Sequence, residues 1–212
     1  MRSAHAWFAI PALALLLTGA DDPTRFATPP APPKFRLPAE GVLFGDDFSN
    51  GLSRWESDSS ETWTAWRGLL RADLPDRKQA RSFLYAGSEE WTDYALDFDV
   101  CGMRGVDKGG AIRVQGTSGF AIDLRGGTYQ DVVAHIREWP VGKARVTNGN
   151  GTWSHVRLEA QGDRFRVYVN GELRIERTDR RRPAGRIALA AYTGGVGKCT
   201  VYYDNVVVTA LE

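Results

Sequence analysis

The chain has 212 residues, 42% hydrophobic and 25% charged, which fits one globular domain or two small ones. With 27 basic against 26 acidic side chains it has no field of one sign to draw in nucleic acid or an anionic membrane. Two cysteines exclude a disulfide-dense miniprotein and a four-cysteine zinc site, while 23 glycines and 7 tryptophans favour turns and aromatic-rich sheets over helices.

Residues 1–20 carry Arg2, an apolar run from Ala6 to Leu17, and the small residues Thr18-Gly19-Ala20. That is the layout of a secretory signal peptide, and its apolar run is too short to make a good membrane span. It predicts a secreted or periplasmic protein; the rival reading is an N-terminal helix that stays at a membrane. Cleavage after Ala20 would remove Arg2 and leave a formally neutral chain. Residues 21–40 contain Pro23, Pro29, Pro30, Pro32, Pro33 and Pro38, too many for a helix or a central strand. They read as a semi-extended, proline-rich linker ahead of one domain at 41–212.

From Gly41 onward the apolar pattern has period two. Strands are expected at Val42–Phe44, Trp63–Leu70, Arg81–Tyr85 and Tyr94–Val100. Further ones follow at Ala111–Gln115, Phe120–Arg125, Asp131–Glu138, Trp153–Ala160, Phe165–Val169, Glu172–Glu176, Arg186–Ala191 and Val201–Thr209. Glycine-rich turns separate them, and Asn170-Gly171 is the strongest hairpin signal because a type I′ turn needs positive φ at both central residues. No long segment has the 3.6-residue period of a helix. So many short strands fit an all-β sandwich of two antiparallel sheets.

In an exported protein Cys101 and Cys199, at the end of one strand and the start of another, are expected to form a disulfide. Their strand parities disagree, so the bridge needs a bulge near Gly102 or Gly197.

The opening Phe44-Gly45-Asp46-Asp47-Phe48-Ser49-Asn50-Gly51-Leu52…Trp55 and the closing Tyr202-Tyr203-Asp204-Asn205-Val206-Val207-Val208 resemble the concanavalin A-like, laminin G-like jelly-roll superfamily. Within it the chain is most similar to the bacterial 3-keto-disaccharide hydrolase domains. Trp66-Arg67-Gly68-Leu69, Lys108-Gly109-Gly110-Ala111-Ile112-Arg113, Gly151-Thr152-Trp153 and Val167-Tyr168-Val169-Asn170-Gly171-Glu172 support the likeness over about residues 42 to 210. These motifs are mostly structural, so they speak to fold more than to function. The Asn-Ser-Gly step usual before the arginine strand is replaced by Gly109-Gly110-Ala111, and the Glu-x-Asp-x-x-Glu signature of jelly-roll glycanases is missing. The resemblance also implies a structural calcium where the N-terminal turn meets the last strand, at Asp46, Asp47 and Asp204; local amides are the alternative use of those carboxylates.

Arg113 and Gln115, Asp123 and Arg125, then His135 and Arg137 all project opposite the apolar positions of three consecutive strands. If the strands pair in order, they line one face able to meet sugar hydroxyls, with Trp66, Tyr129 or Trp139 as an apolar platform. By analogy that face is the concave sheet. The competing reading is an ordinary charged outer face. Asp97 and Asp99 share a strand side and have a spacing usable for glycoside hydrolysis, but a solvated face explains them as well. No nucleophile motif is present and no cofactor is required. The expected function is therefore an exported carbohydrate-binding jelly-roll domain. A glycoside hydrolase-type enzyme of the 3-keto-disaccharide kind and a laminin G-like protein-interaction module are the alternatives.

Overall fold

The computed structural model describes Arg25, residues 27–34, Pro38 and residues 40–212. The expected signal peptide at 1–20 lies outside the described residues. Among them the only helical turn is the 3₁₀ turn Gly194–Val196, and no helix is long and apolar enough to cross a membrane.

Two antiparallel sheets form a sandwich. The first orders β13 (Glu172–Thr178), β12 (Arg164–Val169), β11 (Trp153–Gln161), β6 (Tyr94–Gly105), β15 (Cys199–Ala210), β4 (Leu69–Leu74) and β3 (Trp63–Trp66). β1 (Val42–Asp46) also pairs with β15, beyond the stretch that β4 occupies. The second orders β10 (Trp139–Arg145), β9 (Asp131–Ile136), β8 (Ser118–Arg125), β7 (Asp107–Gln115), β14 (Arg186–Tyr192), β5 (Arg81–Ala86) and β2 (Glu56–Ser57). This is the two-sheet antiparallel sandwich that the strand periodicity implies, and the jelly roll that the family resemblance implies.

The core is made by the period-two residues. Tyr94, Leu96, Phe98 and Val100 of β6 are fully buried, as are Val156 and Leu158 of β11 and Phe165 and Val167 of β12. They meet Phe120, Ile122 and Leu124 of β8 and Ile187 and Leu189 of β14 in one cluster. Phe120 and Phe165 stack across the sheets with ring centroids 4.7 Å apart, a pairing worth about 1 kcal/mol beyond burial. Tyr203 brings a polar group into this interior. Its hydroxyl donates to the Ala190 carbonyl at 2.6 Å and accepts from the Gly109 amide at 3.0 Å, linking the sheets.

Three local expectations change. Trp63–Leu70 is two strands, because Arg67 and Gly68 both take positive φ, 53° and 73°, and turn the chain into a hairpin. Residues 139–145 form a strand that periodicity missed. Pro140 and Gly142 disguise it, and it tolerates proline because it lies at the sheet edge with a register irregularity there. The strand expected to reach Glu138 stops at Ile136, where Arg137 at φ 58° begins a turn.

The disulfide is a further correction: both cysteines are free and buried. Cys101 stands opposite Tyr202, whereas Cys199 stands opposite Gly105. At about 3.3 Å per residue that four-residue offset far exceeds the reach of a disulfide. The bulge near Val201 does not close it.

The described part of the proline-rich linker lies against the outward face of the first sheet. Pro29 is buried, and three side chains of β11 and β15 donate to carbonyls of the segment. They are Trp153 Nε1 to Pro30 at 2.7 Å, Asn205 Nδ2 to Pro33 at 2.9 Å, and the Tyr202 hydroxyl to Ala27 at 3.3 Å. Arg25 pairs with Asp73 at 3.0 Å.

Candidate functional site

The consecutive strands β7, β8 and β9 pair in order, so their outward residues form rows. Gly109 stands opposite Asp123, and Ala121 opposite His135. Asp123 and His135 are diagonal neighbours across β8 and β9, and their side chains meet at 3.1 Å, Oδ2 to Nε2. Around them Gly109, Ala111, Ala121 and Ala190 are small, so the sheet surface sinks rather than bulges. The result is a cavity of about 470 Å³ on the outward face of the second sheet. Arg81, Phe83, Tyr192, Arg137 and Glu138 stand around it. Arg81 and Glu138 pair at 3.2 Å, and the Tyr192 hydroxyl bonds to the Gln79 side chain.

Asp107, at the start of β7, sits beside the same face opposite both Arg125 and Tyr192. Burial, then the nearby Asp123 charge, raises its carboxyl to about 6. Gly194 is what lets it fit: a Cβ there would stand 2.2 Å from Asp107 Oδ2. The face therefore holds a carboxyl that gains its proton in the mildly acidic range and a histidine buttressed by a carboxylate.

Arg125 belongs to the adjoining space. Its guanidinium forks onto Asp131 at 2.7 and 2.8 Å, and Tyr129 stacks on it with the guanidinium 4.4 Å from the ring centroid. Lys143 reaches the same Asp131 at 3.0 Å. A second cavity of about 510 Å³ lies here, lined by Arg125, Lys143 and Arg177 among others, and His135 lines both cavities.

The face anticipated from sequence thus comes together in part. Asp123, His135 and Arg137 line one cavity and Arg125 the next, with Tyr129 stacked on Arg125 outside that lining, and Trp139, 77% exposed, begins the edge strand opposite Ile136. Arg113, Gln115 and Trp66 do not join them. Arg113 lies in a bulge of β7 at φ 48°, so its side chain turns inward and is 1% exposed. There it donates to the carbonyls of Thr92, Gly162 and Arg182 and to the Asp93 carboxylate, at 2.6 to 2.9 Å. Gln115 is exposed at the β7–β8 turn. Trp66 belongs to the other sheet, beside Tyr202 and under Arg67. Sequence reading missed Arg81, Phe83, Tyr192 and Asp107. The first three come from β5 and β14, which join this sheet by a long crossover that no local pattern announces.

Three other polar groupings invite comparison. On the outward face of the first sheet His155 bridges Asp99 at 2.9 Å and Asp97 at 3.2 Å, and Arg157 pairs with Asp97 at 2.5 Å. Hydrogen bonds to Asp97 and Asp99 raise His155 to about 9, so the cluster is a neutralised charge network with no free base at neutral pH. A cavity of about 610 Å³ lies between Arg25, Arg71, Arg77 and Arg81; of its two carboxylates, Glu61 and Asp73, the latter is engaged by Arg25, Arg71 and Thr200. At the corner where calcium is implied, Asp46 accepts from the Phe48 amide and the Trp55 indole. Asp47 accepts from Ser49, and Asp204 from the Asn205 amide. Burial raises Asp204 to about 6. No three His, Cys, Asp or Glu among the described residues are grouped to hold a metal by side chains alone, and calcium at this corner would need backbone carbonyls or water as well.

Comparison with known proteins follows the fold. No curated protein matches the chain. A solved structure titled as carbohydrate binding module CBM66 from Bacillus subtilis superposes with a TM-score of 0.64 at 18% identity, covering 75% of this chain and 97% of that one. The calcium-bound exoplasmic/lumenal domain of VIP36 gives 0.60 at 12% identity, covering 81% and 90%. The carbohydrate recognition domain of Emp47p gives 0.55 at 9% identity, covering 78% and 93%. At these identities the likeness is one of fold. The family model described as a 3-keto-alpha-glucoside-1,2-lyase-like domain matches residues 41–209, most of the chain and nearly all of the sandwich, and the protein belongs to that family.

Proposed function

We propose that the outward face of the second sheet binds a carbohydrate, and that the protein works as an exported sugar-recognition domain. The observation that carries the reading is the 470 Å³ cavity whose alanine floor is ringed by the Asp123–His135 pair, Arg81 and Arg137. Its size suits one sugar ring, and the adjoining 510 Å³ cavity shared through His135 has room for a second. Fixed carboxylate acceptors and guanidinium donors suit vicinal hydroxyls, and the Phe83 and Tyr192 rings offer apolar faces to a pyranose. The relatives titled as carbohydrate-binding and carbohydrate recognition domains, sharing this fold, support the same ligand class. Export rests on the character of residues 1–20. An interaction module would want a broad apolar patch; here the exposed large apolar residues are the neighbours Val42 and Leu43 on β1, with Tyr129, Trp139, Leu173 and Val196 each on a different strand or turn.

The test is calorimetric titration with a panel of glucosides and glucose disaccharides. Arg137→Ala and Asp123→Asn should each weaken the best ligand about 10-fold with little change in Tm. Unchanged affinity in both variants refutes the assignment of this face.

A second reading is favoured by the Asp123–His135 pair and Asp107 together: an elimination of the kind named by the family. In a 3-keto-glucoside the ketone acidifies the C2 proton. A base removes that proton, the C1–O bond breaks with its electron pair on the departing oxygen, and a C1=C2 double bond forms. His135, oriented by Asp123, suits the base. Asp107, at about 6, suits the acid that protonates the leaving oxygen. Incubation with a 3-keto-glucoside, following enone absorbance, separates the readings: turnover lost in His135→Ala supports elimination, and binding without turnover supports recognition alone.

A further inference from the structure

The contacts between the proline-rich segment and the first sheet have a regular form. Three hydrogen bonds join residues 27–34 to the sheet, each accepted by a backbone carbonyl of the segment and donated by a sheet side chain. The carbonyls belong to Ala27, Pro30 and Pro33, a spacing of three. A polyproline II helix has three residues per turn, so these three oxygens lie on one side of it. Prolines supply no amide donors, and a surface that recognises them must itself bring the donors, as indole, phenol and carboxamide groups do in aromatic-lined proline grooves. Trp153, Tyr202 and Asn205 are those three groups.

Each donor is aimed by the fold. Trp153 and Tyr202 lie on the outward side of β11 and β15, both opposite Cys101 in the register of β6. The Tyr202 ring packs beside Trp66, centroids 5.7 Å apart. Asn205 sits in the β15 bulge at φ 55°. Its amide spans Pro33 and the Asp99 carboxylate at 2.7 Å, so its orientation is fixed from beneath. The arrangement is anchored at the near end, where Arg25 pairs with Asp73 and Arg71 donates to the Arg25 carbonyl at 3.4 Å.

We propose that the outward face of the first sheet is a polyproline II docking surface, and that its occupant is this chain's own Ala27–Pro33 segment, bound intramolecularly. The segment is then a strap and not a free tether. It covers the face opposite the sugar cavity, and it delivers Arg25 to the wall of the 610 Å³ cavity. The proposal does not depend on the carbohydrate reading.

The full chain tests it by limited trypsin digestion, following cleavage after Lys34 by mass spectrometry. A protease needs several extended residues ahead of the bond, here those up to Lys34, and a docked strap withholds them. Trp153→Phe with Tyr202→Phe removes two donors and keeps both rings. Pro29→Gly with Pro30→Gly and Pro32→Gly leaves the sandwich untouched and removes the preformed helix. Both variants should speed this cleavage about 10-fold, because cleavage tracks the open population. The far-ultraviolet circular dichroism spectrum should stay unchanged. In the wild type the Trp153 indole proton should exchange slowly with solvent, and in the proline variant fast. Cleavage after Lys34 at equal rates in all three proteins overturns the proposal. So does a wild-type dimer that either variant converts to a monomer, which would assign the strap to a second copy.

Discussion

Arg113 is the residue whose replacement should cost most stability, because it ties three chain segments together from a buried position. Its guanidinium reaches the carbonyls of Thr92, Gly162 and Arg182 and the carboxylate of Asp93, while its own amide donates to the Tyr94 hydroxyl at 2.6 Å. Arg113→Met keeps much of the stem but strips four acceptors of their donor. Breaking a buried, hydrogen-bonded charge pair costs about 3–5 kcal/mol. Two features favour the lower end. Asp93 is 41% exposed and still accepts from the Gly162 amide, and an open cavity beside these residues admits water to the freed carbonyls. A loss of about 3 kcal/mol in a domain of this size lowers Tm by roughly 6–12 °C. Differential scanning calorimetry of the two proteins measures it directly. Arg113→Lys should recover only part of the loss, since an ammonium cannot span the same fork of acceptors. A Tm drop under about 2 °C for Arg113→Met would refute the structural role and reopen that of a surface ligand contact.

The His155 network sets a pH dependence of defined sign. Its folded value near 9 lies above the usual 6.5, so the bridge stabilises fully below pH 6.5 and is lost as pH rises through 9. With the side chain 46% exposed, solvent screening reduces the gain to about 1 kcal/mol. Urea titrations at pH 6 and pH 9.5 should show that difference in the wild type and not in His155→Gln. Asp107 titrates at about 6, above its unfolded value, so its ionised form burdens the fold above pH 6. Asp107→Asn should therefore raise Tm at pH 7.5 and leave it nearly unchanged at pH 4; a lower Tm at pH 7.5 contradicts the burial argument. Both thiols are buried and raised by burial, Cys101 to about 11 and Cys199 to about 12. A disulfide-reactive chromophore should titrate two thiols in guanidinium and almost none in the native protein.

Much of the sandwich could be read in advance because its strands alternate cleanly: Tyr94, Leu96, Phe98 and Val100 announce β6 unaided. What stayed hidden depends on register or on distant pairing. A one-residue bulge at Arg113 reverses the side on which an arginine emerges, and no composition signal marks it. The cysteines looked close because their strands are neighbours, but neighbouring strands leave the offset open, and four residues separate them. Asp123 and His135 were legible because β8 and β9 are consecutive and pair in order. Phe83 and Tyr192 were not, since β5 and β14 reach the site across most of the chain.

The floor of the proposed sugar cavity carries a practical consequence. It is low because alanines stand where larger side chains could, between walls that include the turn residues Gln79, Arg137 and Glu138, so selectivity there is adjustable one methyl group at a time. The adjustable positions are the alanines, Ala121 and Ala190, whose enlargement would shallow the basin without disturbing a single polar group. Gly109 is not a free variable: a Cβ there would lie 1.8 Å from the Ile122 carbonyl oxygen. The strand beside the basin, where Gly109 stands opposite Asp123, is therefore fixed by packing, and the alanine floor is open to remodelling toward bulkier or slimmer rings.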